Sequence, residues 1–286
     1  MSRIYYKITE VTDFGPFVVK LVLPIGAKVK AEDVKPQCFN VYVERKDKHG
    51  NVLMLPKSWT ELNTLLPSKG YVVIEDAYPS DPAGERRDEG DFVTLALKYG
   101  PTQMLTSAIA FVNRMNRYVH WEFRVTQIAE LASSEGTLSG LVFDRCAGDS
   151  MKQADVFLQG VSSHEEPLKY GYYVPQTGGG RRPLIIWLHG GGEGGDDPLI
   201  AYTGNKVVNL AGPEIQARFG GAYVLVPQAP TFWMDDGSGK FGRSGKSRYV
   251  KALKALIDEF IERNETGIDR SRIYIGGCSN GGFMTL

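Results

Sequence analysis

The stretch that decides the fold reads Arg272-Ile-Tyr-Ile-Gly-Gly-Cys-Ser-Asn-Gly-Gly-Phe-Met284. Its apolar start followed by glycines predicts a buried strand that turns abruptly into a helix. Within it, Gly277, Ser279 and Gly281 form the pattern G-x-S-x-G, which places a serine at the tip of a strained turn and keeps its surroundings free of side chains. The pattern predicts an exposed nucleophile, Ser279, with the Asn280 N–H directed at a developing oxyanion.

Composition and charge narrow the classes of function. The chain has 286 residues and is 42% hydrophobic, enough for two domains with their own cores. Lys plus Arg and Asp plus Glu both total 33, so no net charge favours nucleic acid or a membrane surface. The absence of a signal-like or membrane-spanning apolar run predicts a cytoplasmic protein. Three dispersed cysteines suit neither a disulfide framework nor a zinc site, so we expect no metal and no cofactor.

Residues 1–132 alternate between apolar and polar positions with a period of two. The clearest run is Val119–Thr126, where valine, tryptophan and phenylalanine alternate with polar residues, as in a half-buried strand. Similar runs separated by turn residues are Ile4–Val11, Phe17–Leu23, Phe39–Glu44, Tyr71–Ala77 and Asp91–Tyr99. About six or seven short strands at this spacing predict a β-sandwich of the immunoglobulin type.

Residues 133–286 follow a different pattern. The runs Leu184–Leu188, Ala222–Val226 and Ile273–Ile275 are apolar at every position, as in a parallel sheet that is covered on both faces. Between the last two, Ser247–Arg263 has apolar residues at spacings of three and four and predicts a helix capped by Ser247. This order predicts a right-handed, mostly parallel α/β domain. Two earlier strands are predicted at Ala154–Val161 and Leu168–Val174.

A glycine-rich loop, His189-Gly-Gly-Gly-Glu-Gly-Gly-Asp-Asp197, directly follows the first of these apolar strands. Residues without side chains let main-chain N–H groups approach a developing negative charge closely. Gly191, with Gly190 next, is therefore predicted to supply the second oxyanion donor. The alternative, a flexible loop without a role, is disfavoured by the G-x-S-x-G pattern later in the chain. His189 is predicted to hold the loop rather than to transfer protons.

Other residues near these loops are further candidates for the site. Trp233 lies in the run Pro227–Trp233, which leaves a strand at the sheet edge where ligands usually bind. Trp233 and His189 are thus predicted to line a substrate pocket, with core packing as the alternative. The run Gly242–Ser247 resembles a phosphate loop, but Lys240 stands where the first glycine is required. Three loop carboxylates are expected at a solvated helix start rather than around a metal: Glu193, Asp196 and Asp197.

The order of LIIWLHGGGEGG, AYVLVPQAP, an amphipathic helix and IDRSRIYIGGCSNGGFM resembles the α/β-hydrolase superfamily. Within it, the order is similar to the polyhydroxybutyrate-depolymerase-like and feruloyl-esterase-like branch. The runs GPFVVKLVLP, FNVYVERKD and GDFVTLALKYGP resemble the immunoglobulin-like domain that precedes the catalytic domain in some bacterial esterases of that branch. The resemblance implies a serine esterase for short acyl or aryl esters, with Ser279 as nucleophile and the Asn280 and Gly191 N–H groups as oxyanion hole.

The sequence departs from this family in one respect. The family's acidic residue and general-base histidine follow the nucleophile, whereas this sequence ends at Leu286. We therefore expect both beyond residue 286, an inactive chain in isolation, and an exposed apolar edge along the Ser279 strand that favours a homo-oligomer or a completing chain. Two alternatives stay open: a serine peptidase of related fold, and a non-catalytic module whose sandwich binds a polymer or partner.

Overall fold

The structure, a computed structural model, describes residues 2–58, 60–176, 179–238 and 244–286. Positions 240, 242 and 243, which bear on the run that resembles a phosphate loop, lie outside the described residues. None of the described helices is long and apolar enough to cross a bilayer. The predicted cytoplasmic location stays a prediction.

The chain divides into two compact units. The first contains Met1–Glu10, Pro16–Ala110 and Tyr118–Met151, and the second contains Val11–Gly15, Phe111–Arg117 and Lys152–Leu286. Two short segments from the first half of the chain thus have their contacts in the second unit. The predicted boundary after residue 132 stays a prediction.

The first half of the chain is built almost entirely from strands. Eight of them form one hydrogen-bonded set in the order β6-β3-β11-β14-β1-β2-β8-β7, and three separate hairpins pair β4 with β5, β9 with β10, and β12 with β13. The strands are β1 (Ser2–Thr12), β2 (Gly15–Lys30), β3 (Phe39–Lys46), β4 (Met54–Pro56), β5 (Leu65–Pro67), β6 (Lys69–Val72), β7 (Ile74–Ser80), β8 (Glu89–Leu97), β9 (Ile109–Val112), β10 (Met115–Tyr118), β11 (His120–Gln127), β12 (Leu131–Ser133), β13 (Gly136–Leu138) and β14 (Val142–Ser150).

The period-two pattern corresponds to these strands. In β11, Trp121, Phe123 and Val125 are buried, whereas His120 and the other alternate residues face outward, because successive side chains of a strand point to opposite faces. One strand that the sequence predicted forms two separate strands in the structure. The run Tyr71–Ala77 breaks at residue 73, so that β6 pairs with β3 and β7 pairs with β8 at the opposite end of the strand order.

The second unit contains a five-stranded sheet in the order β15-β16-β18-β17-β19. Only β17 with β18 and β17 with β19 pair in parallel; β15 with β16 and β16 with β18 are antiparallel. The sheet is therefore mixed, which corrects the predicted mostly parallel fold. Its strands are β15 (Leu158–Val161), β16 (Lys169–Tyr173), β17 (Arg182–Leu188), β18 (Tyr223–Gln228) and β19 (Ile268–Gly277), and its helices are α1 (Lys152–Asp155), α2 (Pro198–Thr203), α3 (Pro213–Phe219), α4 (Val250–Arg263) and α5 (Asn280–Met284).

Helix α4 packs its apolar face on this sheet. Leu256 and Phe260 are buried in one core with Leu184 of β17 and Leu225 of β18, as the spacing of three and four requires. The helix is confirmed, but its start is not at Ser247. The Ser247 hydroxyl accepts the N–H of residue 249 at 3.1 Å, before the helix begins, so it organises the preceding turn instead of capping α4.

Strand β19, which leads to the serine, lies at the edge of the sheet. Its residues Ile273, Tyr274 and Ile275 are 38%, 48% and 45% exposed. The prediction that this strand is buried is wrong, because among the described residues only β17 pairs with it. The expectation of an exposed apolar edge at this position is confirmed.

Candidate active site

Ser279 lies between the end of β19 and the start of α5 and is exposed. Its backbone has φ 49° and ψ −111°, a conformation that is strained for any residue with a side chain. The N–H of Cys278 donates to Leu188 O at 3.0 Å, and the N–H of Phe283 donates to Ser279 O at 3.1 Å. The chain therefore changes from strand to helix at the serine itself.

The two glycines of the G-x-S-x-G pattern face main-chain atoms. A Cβ on Gly281 would lie 2.1 Å from Leu188 O and 2.5 Å from His189 O. A Cβ on Gly277 would lie 2.6 Å from the carbonyl carbon of Gly281 and 2.8 Å from Leu188 O. Real Cβ atoms do not approach backbone this closely, so the end of β17 requires glycine at both positions.

The predicted oxyanion donors lie at the starts of two helical segments. Asn280 begins α5, and Gly191 begins the 3-10 turn Gly191–Glu193. The first N–H groups of such segments have no acceptor within the helix. A Cβ on Gly190 would be 3.7 Å from Cys278 O, so the loop lies directly against the turn that carries Ser279. The role of these N–H groups as donors to an oxyanion stays a prediction.

His189 is fully buried and connects the loops after β17 and β18. Its Nδ1 lies 2.6 Å from Gly190 O, and its Nε2 accepts the N–H of Ala229 at 3.0 Å. These partners require the neutral tautomer that carries its proton on Nδ1. Burial lowers the pKa of His189 to about 4. Since both ring nitrogens are engaged by the backbone, His189 is not free to take a proton from Ser279.

Trp233 is also fully buried, and its ring centroid lies 5.2 Å from that of His189. Both side chains belong to the packed interior and expose no surface to a ligand, so their burial gives no support to the predicted pocket lining. The loop that carries Trp233 also contacts the turn at Ser279. The N–H of Met234 donates to Oδ1 of Asn280 at 2.9 Å.

Two residues of the segment Phe111–Arg117 complete the site, and sequence reasoning missed both. Nδ2 of Asn116 donates to Oε1 of Glu193 at 3.0 Å, and the guanidinium of Arg117 donates to Gly194 O at 3.0 Å. The signal in the sequence is the pair Asn113-Arg114. In the structure this pair forms the turn between β9 and β10, with φ values of 51° and 65°. Such a turn indicates a hairpin, but not what the hairpin touches.

The loop carboxylates differ from one another. Asp197 caps α2 by accepting the N–H of Leu199 at 3.1 Å, as expected for a helix start. Glu193 and Asp197 are both partly buried, which corrects the expectation of solvated positions. Burial raises the pKa of Glu193, and hydrogen bonds from the Asn116 side chain and the Gly190 backbone oppose that rise. Burial, and to a lesser degree the charge of Glu193, raises the pKa of Cys278.

The main chain of the loop is held on the end of β18. Nε2 of Gln228 donates to the carbonyl oxygens of Glu193 and Asp197, each at 2.9 Å. A Cβ on Gly194 would lie 1.6 Å from Thr231 O, so glycine is required there for close approach of two backbone segments. The loop is therefore positioned by several contacts from distant parts of the chain.

Comparisons with known proteins bear on the family and the fold. Residues 5–140 match the family described as "Esterase Ig-like N-terminal domain". Over 115 residues the chain is 27% identical to a poly(3-hydroxybutyrate) depolymerase from Ralstonia pickettii, a match that covers 39% of this chain and 23% of that protein. The resemblance to an esterase-like hydrolase with an immunoglobulin-like domain is confirmed.

The crystal structure of a thermostable esterase matches 99% of this chain with a TM-score of 0.77 and 23% sequence identity, and the match covers 72% of that esterase. At this identity the likeness concerns the fold: a strand-rich first half followed by the sheet that carries Ser279. The chain spans about a quarter of the length of the curated relative it matches, 23%.

Proposed function

We propose that this protein is a serine ester hydrolase that forms an acyl-enzyme on Ser279 with short acyl or aryl esters. The observation that carries the proposal is the strained conformation of Ser279, at φ 49° and ψ −111°, between two glycines that fit only against the end of β17. Strain of this kind persists where the surrounding structure enforces it, and it is common at catalytic residues. The family-level matches to esterases and a depolymerase support ester hydrolysis.

In the proposed reaction, the Ser279 oxygen attacks the ester carbonyl carbon while a base takes the hydroxyl proton. The carbonyl oxygen becomes an oxyanion, which the N–H groups of Asn280 and Gly191 stabilise, whereas the Gly190 N–H donates to the Glu193 carboxylate. The C–O bond then breaks, the alcohol leaves with a proton, and water hydrolyses the acyl-enzyme. Loss of one such donor costs about 10²- to 10³-fold in kcat.

The histidines of the second unit are engaged by other groups. Nε2 of His164 lies 3.1 Å from Ala255 O, and His189 is engaged by the backbone at both ring nitrogens. A serine without a base is a weak nucleophile, so the proposed acyl transfer needs a base other than His189.

The test uses the full-length protein with a fluorophosphonate probe and an aryl ester. We expect Ser279→Ala to abolish labelling and to lower kcat on the order of 10⁴- to 10⁶-fold. Ser271→Ala is the matched control, since Ser271 is an exposed serine of β19, the strand that leads to Ser279, and it should change neither readout.

Three results would contradict the proposal. Labelling that survives Ser279→Ala would place the nucleophile elsewhere. A large preference for peptide anilides over esters would indicate a serine peptidase. A full-length protein without labelling or hydrolysis would indicate a non-catalytic module.

A further inference from the structure

The glycine-rich loop is held by a carboxylate of its own. Glu193 ends the 3-10 turn, and its N–H donates to Gly190 O at 3.2 Å. Its side chain then folds back over the start of the loop, because a Cβ on Gly190 would lie 2.8 Å from Oε2 of Glu193. A Cβ on Gly204, which follows α2, would lie 2.8 Å from Cγ of Glu193. The Glu193 side chain therefore occupies a narrow space that two glycines leave open.

Asn116 holds this carboxylate in place. Its Nδ2 donates to Oε1 of Glu193 at 3.0 Å, and the same Nδ2 would lie 3.4 Å from a Cβ on Gly192. The ring of Phe111 would be 3.7 Å from that Cβ. The segment that contains Phe111 and Asn116 thus packs against Gly192. This glycine lies between the predicted donor Gly191 and Glu193, which carries the carboxylate.

A partly buried carboxylate beside a site of developing negative charge needs a reason. An ionised Glu193 would repel an oxyanion, and burying it costs free energy unless its oxygens accept hydrogen bonds. The hydrogen bonds from the Asn116 side chain, the Gly190 backbone and the Asn205 side chain meet that requirement. Because the Gly190 N–H is bonded to the carboxylate, the same contacts hold the main chain directly before Gly191.

We propose that Glu193 and Asn116 are positioning residues, which hold the Gly190–Gly192 main chain so that the Gly191 N–H meets the oxyanion. This inference rests on the proposed function, because it assigns the loop to acyl transfer. Neither residue touches the substrate. Both act through the loop, so their loss should lower kcat and leave ester binding nearly unchanged.

The experiment compares Asn116→Ala, Glu193→Ala and Glu193→Gln in the full-length protein. We expect the two alanine variants to lower kcat by about 10- to 100-fold with KM within about 3-fold of wild type, because a misplaced donor loses transition-state stabilisation only. The affinity for phenylboronate, which forms a tetrahedral adduct with a nucleophilic serine, should fall by a similar factor. Glu193→Gln keeps an acceptor for Asn116 and should stay within about 5-fold of wild type in kcat.

Glu259→Ala is the matched control. Glu259 is a buried carboxylate of the same unit that accepts hydrogen bonds from the N–H and hydroxyl of Ser163 at 2.9 and 3.0 Å, and it lies on α4. We expect this variant to lower the melting temperature and to leave kcat within about 2-fold of wild type, because its contacts stabilise α4 and not the loop.

The outcomes separate the two proposals. Hydrolysis that survives Ser279→Ala contradicts the proposed function. Hydrolysis that depends on Ser279 but keeps its kcat in Asn116→Ala and Glu193→Ala contradicts only the positioning role. A second measurement does not depend on catalysis and can be made even if the protein is inactive. Amide hydrogen exchange across residues 190–195 should be at least about 10-fold faster in Asn116→Ala than in wild type. Unchanged exchange would overturn the inference.

Discussion

The turn at Gly277–Gly281 and the loop at Gly190–Gly195 are both rich in glycine, but different neighbours require it. At Gly281 the nearest obstacle to a Cβ is a main-chain oxygen at 2.1 Å. At Gly190 it is a carboxylate oxygen of Glu193 at 2.8 Å, and at Gly195 it is the guanidinium of Arg117 at 2.8 Å. Side chains can rotate away from a new methyl group, whereas packed backbone cannot. The turn is therefore held by packed backbone. In the loop, Gly194 also meets backbone, with a Cβ 1.6 Å from Thr231 O, whereas Gly190 and Gly195 are bounded by side chains that can move.

The comparison predicts the largest effect at Gly281. The change Gly281→Ala should destabilise the protein by about 3 kcal/mol or more and lower kcat by about 10³-fold, because β17 and α5 must separate to admit the methyl group. Thermal denaturation measures the loss of stability, and ester hydrolysis measures the loss of kcat.

Gly276→Ala is the control for that change. Gly276 lies near the end of β19, just before the turn, and its Cβ would meet the Trp187 ring at an ordinary 3.6 Å. We expect a change of less than about 1 kcal/mol in the free energy of unfolding. Equal destabilisation by Gly281→Ala and Gly276→Ala would show that contact with main-chain atoms is not what makes a side chain unfavourable at Gly281.

An intermediate effect is expected at His189, which joins the two regions. Its pKa of about 4 in the folded protein lies below the value of about 6.5 in an unfolded chain. Unfolding therefore takes up a proton between these values, and stability should fall by up to about 3 kcal/mol as the pH drops from about 6.5 to about 4. Urea denaturation across this range should give a flatter pH dependence for His189→Gln.

A slope that is the same in wild type and His189→Gln would contradict the buried, neutral assignment of His189.

The smallest effect is expected at Gly192. A Cβ there would lie 3.4 Å from Nδ2 of Asn116 and 3.7 Å from the Phe111 ring, and both side chains can shift by a few tenths of an ångström. Gly192→Ala should change kcat by less than about 3-fold and stability by less than about 1 kcal/mol. A loss as large as that of Gly281→Ala would mean that the loop is as rigid as the turn.

The parts of the fold that the sequence predicted correctly depend on local pattern. Period-two alternation identified β11, apolar runs identified β17 and β18, and the spacing of three and four identified α4. The errors concern pairing. Exposure of Ile273 to Ile275 follows from the edge position of β19, and the antiparallel pairing of β15 with β16 makes the sheet mixed. An apolar run shows that a segment suits a sheet, but not which neighbours it receives.

By itself, the sequence determined the turn at Ser279. The pattern around Ser279 specifies a strand, a strained residue and two glycines within five positions, and the contacts that require these glycines come from the end of β17, from His189 and from the turn itself. Only the tertiary structure decided how the loop is held. Asn116 and Glu193 lie 77 positions apart in the sequence, and a hydrogen bond between two polar side chains leaves no periodic trace in either segment. Their meeting depends on the folding of distant backbone, which local propensity does not encode.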